Sequence, residues 1–200
     1  MVLGVSDTDI KVFNAALAYL GIPEVESFVE GSATAATGNR LYSDALEEIL
    51  AMYPWRFTME RGDLVRTADT PPEPWEGMYQ LPSTAKNVRA VQIDGFNAKF
   101  DVYGRLVAVM VQDTSTATVS ADYSVMVTPS QWPGYFRQAF VLHLAARLAM
   151  PLTMDFDFAA QLDQRAQYQL AKAKNMDAQG RTQSKIDTKA FIRARRGGRG

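Results

Sequence analysis

Residues 39–57, NRLYSDALEEILAMYPWRF, decide the fold. Their apolar side chains come as adjacent pairs repeated every four residues: Leu41 and Tyr42, Ala45 and Leu46, Ile49 and Leu50, then Tyr53. On an α-helix these pairs draw one wide stripe, while Arg40, Asp44, Glu47 and Glu48 turn to the opposite side. The spacing predicts a core-facing helix that starts between Ser32 and Gly38. Pro54 has no amide hydrogen and drives Tyr53 out of helical angles, so the helix is predicted to stop there and hand Trp55 and Phe57 on in extended form. This run is expected to be the central strut of a helical bundle, with Pro54-Trp55 as the junction where an inserted sheet departs.

Upstream, residues 7–20 carry Ile10, Phe13, Ala16, Leu17 and Leu20 at spacings of three and four, with Ser6 or Asp7 as N-cap and Gly21 and Pro23 as stops. Gly31 and Gly38 do not make a phosphate-binding loop, because no Gly-Lys-Ser/Thr follows them. Downstream of Phe57 the period shifts from helical towards two. A first strand is predicted over residues 55–66, then a proline-dense connector, TPPEP, at 70–74. Further strands are predicted at 78–81, 88–93, 99–102, 106–111 and 116–127, with turns at Gly95, Tyr103-Gly104 and Asp113. Such short spacing implies hairpins, hence a small antiparallel sheet or sandwich.

After Thr128-Pro129-Ser130 the helical period returns with Phe136, Phe140, Val141, Leu144, Ala145 and Leu148, and Pro151 is expected to end it. Asp155 is the N-cap candidate of a last helix with Phe158, Ala159, Leu162, Ala166, Leu170 and Ala173 on one face. The fold class is therefore α+β. A helical bundle is drawn from residues 1–54 and 129–177, an inserted antiparallel β domain from 55–128, and a basic extended tail from 178–200.

A chain of 200 residues suits one main core and buries roughly 70% of its unfolded surface. No uninterrupted apolar run approaches the roughly 18 to 20 residues that span a bilayer. The first nine residues do not pair a basic flank with an apolar segment, so no signal peptide and no membrane partner are expected. The absence of cysteine excludes disulfides, thiolate-held metals and thiol catalysis, and fits folding in a reducing cytoplasm. The formal net charge of −1 conceals an asymmetry: Arg181, Lys185, Lys189, Arg193, Arg195, Arg196 and Arg199 against Asp187 give the last 20 residues +6, leaving −7 on the rest. A basic tail on an acidic body asks for an anionic destination.

Catalytic constellations are scarce. His143 is the single histidine, and with no cysteine it cannot build the usual metal or triad set from one chain, so it reads as structural. Asp155-Phe156-Asp157 resembles a magnesium-holding pair, yet it stands where a helix begins, and carboxylates are stabilised there by free amides and the dipole. Asp44, Glu47 and Glu48 suggest acid–base work, but opposite a clear apolar stripe they read better as a solvated face or a subunit interface. Trp55, Trp75 and Trp132 each lie near a proline and an element boundary, suited to anchoring chain reversals or subunit contacts. The ending RRGGRG, with Phe191 as its nearest aromatic residue, resembles the arginine-glycine segments of non-specific nucleic-acid binders. A nucleic-acid-binding module acting through this tail is the alternative function.

Several phrases in order resemble a known family. LYSDALEEIL at 41–50 runs into YPWRF at 53–57, and then come YQLP at 79–82, VRAV at 88–91 and YGRL at 103–106. YSVMVT at 123–128, Trp132-Pro133 and LAARLAMPLT at 144–153 close the series. Together, over roughly residues 7–177, they resemble the head-to-tail adaptor proteins of tailed bacteriophages, of the tail tubular protein A type. The resemblance implies a helical bundle with an inserted β domain, assembled in the virion neck as a ring, commonly of twelve subunits. The ring lies between the portal protein and a downstream tail or nozzle protein, and DNA passes through its channel without sequence specificity. It implies no enzyme activity and no cofactor. It also implies that a C-terminal extension reaches the portal, which makes Lys185, Lys189, Phe191, Arg193, Arg195, Arg196 and Arg199 the expected portal or anion contacts.

Overall fold

The computed structural model describes residues 7–110 and 117–180. Helix α1 (Asp7–Leu20) has Asp7 and Asp9 in its first turn, where the dipole favours anions, and buries Val12, Phe13, Ala16 and Leu17. Gly21 turns the chain with a φ of 68°. Asn14 then straps the following loop, donating from Nδ2 to the Val25 carbonyl at 2.9 Å and accepting the Val25 N–H at 3.1 Å. Helix α2 (Ala33–Ala51) starts inside the predicted window. Ser32 caps it by accepting the Ala35 N–H at 3.1 Å. Gly38 is helical and buried, and a Cβ there would run into the ring of Phe13, so this glycine makes room for the Phe13 ring of α1.

Past the Pro54 stop, Trp55 is fully buried and donates from Nε1 to the Ile49 carbonyl at 2.9 Å, folding the junction back onto the helix that precedes it. The single strand predicted over 55–66 is corrected. A 3-10 turn (Arg56–Thr58) comes first, then β1 (Met59–Asp63) and β2 (Val65–Arg66), which belong to different sheets. Leu64 between them is buried in the shared β core, so the chain crosses from one layer to the other at that residue. The remaining strands are β3 (Gly77–Gln80), β4 (Ala85–Ile93), β5 (Phe96–Asn97), β6 (Phe100–Tyr103), β7 (Leu106–Val109) and β8 (Val119–Val125).

All pairings are antiparallel, in two four-stranded sheets ordered β1-β8-β4-β5 and β2-β3-β7-β6. The sheets share one core in which Val91, Val119, Ala121 and Tyr123 meet Tyr79, Val107 and Val109, which makes the insertion a sandwich. Along β8, Val119, Ala121, Tyr123 and Val125 alternate inward with period two. The strands that enter and leave the insertion, β1 and β8, are neighbours in register from Met59 opposite Ser124 to Asp63 opposite Ser120. The β domain therefore hangs from the bundle on a paired stalk.

Helix α3 (Gly134–Thr153) packs against α1, α2 and α4, and it takes the central place expected of α2. Its run Ala139–Ala145 is buried without a break, and a helix apolar nearly all round belongs in the middle, whereas the charged back of α2 keeps that helix outside. Pro151 does not end α3. The last turn continues to Thr153, because Thr153 Oγ1 donates to the Ala149 carbonyl at 2.7 Å and the Met154 N–H reaches the Met150 carbonyl at 3.1 Å. Met154 then adopts a left-handed φ of 55° and turns the chain into α4 (Phe156–Gln179). Asp155 caps α4 through the Phe158 N–H at 2.9 Å. Residues 178 and 179 are helical rather than the start of the tail. Rings of Phe13, Phe28, Tyr42, Phe140, Trp132, Phe136 and Trp55 contact one another in sequence at centroid distances of 4.9 to 5.4 Å, linking α1 to the junction through the bundle.

Candidate functional site

Between α2 and α3 lies an open groove of about 570 Å³ lined by Thr37, Arg40, Leu41, Asp44, Ala45, Glu48, Arg147 and Pro151. Its composition follows from two helical periods. The i, i+4 row Arg40–Asp44–Glu48 lines it from α2, and Arg147 and Pro151, also four apart, line it from α3. Glu48 is the clamp. One carboxylate oxygen receives Arg147 Nη2, and the other stands 3.3 Å from His143 Nε2.

The His143 imidazole is 8% exposed. Its Nε2 lies at ion-pair distance from Glu48 but makes no hydrogen bond. Burial disfavours the imidazolium and holds its pKa below the ordinary histidine value, against the pull of the Glu48 carboxylate and with help from Arg147. His143 is thus a packed side chain whose neutral form is favoured near pH 7.

Of the acidic residues proposed for a subunit interface, Asp44 and Glu47 are exposed, and Glu47 Oε1 stands 3.9 Å from Lys86 Nζ on β4. Glu48 does not turn fully away from the core: it is engaged with α3 inside its own chain. Its partner Arg147 stands four residues after His143 on α3, a pairing that spacing along one helix does not name. Asp155 is an N-cap, and Asp157 lies in the first turn of α4. Among the described residues no group of three or more His, Cys, Asp or Glu side chains is placed to hold a metal ion. Trp55 and Trp132 are core anchors, Trp132 donating from Nε1 to the Val127 carbonyl at 2.8 Å, while Trp75 is half-buried.

A second crevice, of about 220 Å³, lies where the bundle meets the sandwich, between Glu47, Leu50 and Ala51 of α2 and Lys86, Asn87, Ser124 and Val125 of β4 and β8. Nearby, Asp177 at the end of α4 is 1% exposed, and its carboxylate accepts the Arg56 N–H and the Tyr135 hydroxyl. No sequence pattern marked Asp177. The portal or anion contacts expected at Lys185, Lys189, Phe191, Arg193, Arg195, Arg196 and Arg199 lie outside the described residues. Among the described residues no helix is long and apolar enough to cross a membrane. No protein-family model and no curated protein matches this chain.

Proposed function

We propose that the chain is a structural virion subunit, a head-to-tail adaptor that assembles into a ring between portal and tail and lets DNA pass through the centre. One observation carries this reading. The phrases that resemble the adaptor family follow, in order, the elements of a helical bundle that lets a β sandwich out after α2 and takes it back before α3, the layout the resemblance implies. LYSDALEEIL forms most of α2, YPWRF is the joint at which the insertion departs, and LAARLAMPLT is the second half of α3. The adaptor role is structural, not catalytic, and its site of action is the virion neck.

Light scattering coupled to size exclusion, and microscopy of the protein mixed with portal protein, test it. Rings that attach to portal are expected. A protein that stays monomeric at high concentration and ignores portal overturns the reading. Deleting residues 181–200 is expected to abolish portal attachment while the fold is retained, and unchanged attachment removes that role from the tail. The charge of +6 on those residues also favours a second reading, phosphate-backbone binding. It requires affinity that falls steeply with salt and is lost when Arg193, Arg195, Arg196 and Arg199 become alanine.

A further inference from the structure

Helix α4 packs principally on α3, which leaves most of its circumference to solvent. One outward stripe is not ordinary solvated surface. Arg165, Tyr168, Lys172 and Met176 follow each other at helical spacing, all exposed, with Tyr168 at 74% and Met176 at 45%. A large aromatic and a methionine framed by two cations is the composition of an interface, where Tyr, Met and Arg are enriched. The α2–α3 groove offers the counterpart. Leu41, Ala45 and Pro151 supply apolar lining, and Asp44 supplies an exposed carboxylate. Glu48 and Arg147 compensate one another, so Asp44 and Arg40 are the charges left for an occupant.

We infer that the occupant is a second copy of this chain, which lays its α4 stripe into the α2–α3 groove with Tyr168 on the apolar lining and Lys172 against Asp44. Arg40 at the rim then has an aromatic face to lie on. Groove and stripe are different surfaces of one chain, and in a ring the contact is heterologous: each copy gives a stripe to one neighbour and a groove to the other. Repeated, such contacts close a ring or extend a filament. The inference rests on the proposed ring and adds which faces meet.

The absence of cysteine from the chain allows a direct test. Asp44→Cys and Lys172→Cys variants, mixed and oxidised, are expected to give a disulfide-linked dimer that neither variant gives alone. Asp44→Lys and Lys172→Glu, each checked for an unchanged circular dichroism spectrum, are expected to raise the concentration for half-assembly about tenfold. The double variant is expected to recover it. If the wild type forms rings yet the mixed cysteines do not cross-link and the charge variants assemble normally, this pairing is overturned and the ring stands. Loss in both single variants without recovery in the double overturns it too. A wild type that is monomeric at high concentration and in the presence of portal overturns both the ring and this contact.

Discussion

The Asp177 carboxylate accepts the backbone N–H of Arg56, 121 positions earlier in the chain, at 3.2 Å. The bond closes the bundle, because Arg56 stands where the insertion departs and Asp177 belongs to the last turns of the last helix. Tyr135 at the start of α3 donates its hydroxyl to the same carboxylate at 2.8 Å. Three segments far apart in sequence meet on one buried acid.

Asp177→Ala leaves the Arg56 N–H and the Tyr135 hydroxyl without their acceptor, and a cost of about 2–4 kcal/mol in urea unfolding is expected. Tyr135→Phe removes one donor only, and about 1 kcal/mol is expected. A double-mutant cycle should give a sum smaller than the two separate losses, since both report on one bond. Burial, then the bond to Asp177, pushes the Tyr135 phenol up to about 12. Because the folded value is raised, its contribution is present below the ordinary tyrosine value of about 10 and is lost as pH rises towards 12.

Gly38→Ala sets two effects against each other. Alanine favours a helix interior over glycine by about 1 kcal/mol, while a methyl group forced against a packed ring costs about 1–3 kcal/mol. The clash is with three atoms of the Phe13 ring, which is itself fully buried, so the loss is expected to dominate. A lower denaturation midpoint for Gly38→Ala, relieved by adding Phe13→Leu, would fit. A stabilised single variant would mean that the ring moves aside freely.

His143 predicts an acid-side loss of stability. Its folded pKa is depressed, chiefly by burial. The stability linked to its neutral form is therefore complete above the unfolded value of about 6.5 and is lost as pH falls through the lower folded value. The charged groups facing it are Glu48 on α2, Arg147 on α3 and Asp163 on α4. Thermal melts between pH 7.5 and pH 5.5 should decline for the wild type and decline less for His143→Gln. Equal slopes would assign the decline to the carboxylates.

Charge reversal separates the acidic residues of α2. Glu48→Lys sets a cation against Arg147 and beside His143, and should lower the melting temperature of the subunit itself. Asp44→Lys should leave the unfolding free energy within about 0.5 kcal/mol of wild type, and so the melting temperature nearly unchanged, as exposed changes usually do. If both variants melt alike, Glu48 is not a clamp.

The sequence by itself determined the alphabet of the fold: where α1 starts and stops, that α2 begins between Ser32 and Gly38, that Asp155 caps α4, and that the middle of the chain is antiparallel β. These are local matters, fixed by hydrophobic period, by caps and by glycine and proline, whose effects reach only a turn or two along the chain. Residues 55–66 look like one continuous strand locally, because a bend into a second sheet leaves no mark in the residue pattern. Pro151 does not stop α3 as a proline pattern suggests, because Thr153 and Met154 hold the last turn after the proline has removed its own N–H. The tertiary structure alone decided which helix is central, that Glu48 engages Arg147 of α3, and that Asp177 reaches Arg56. Each depends on which surfaces meet, and the energy of burying an acid or leaving it in water is set by neighbours that sequence spacing does not name.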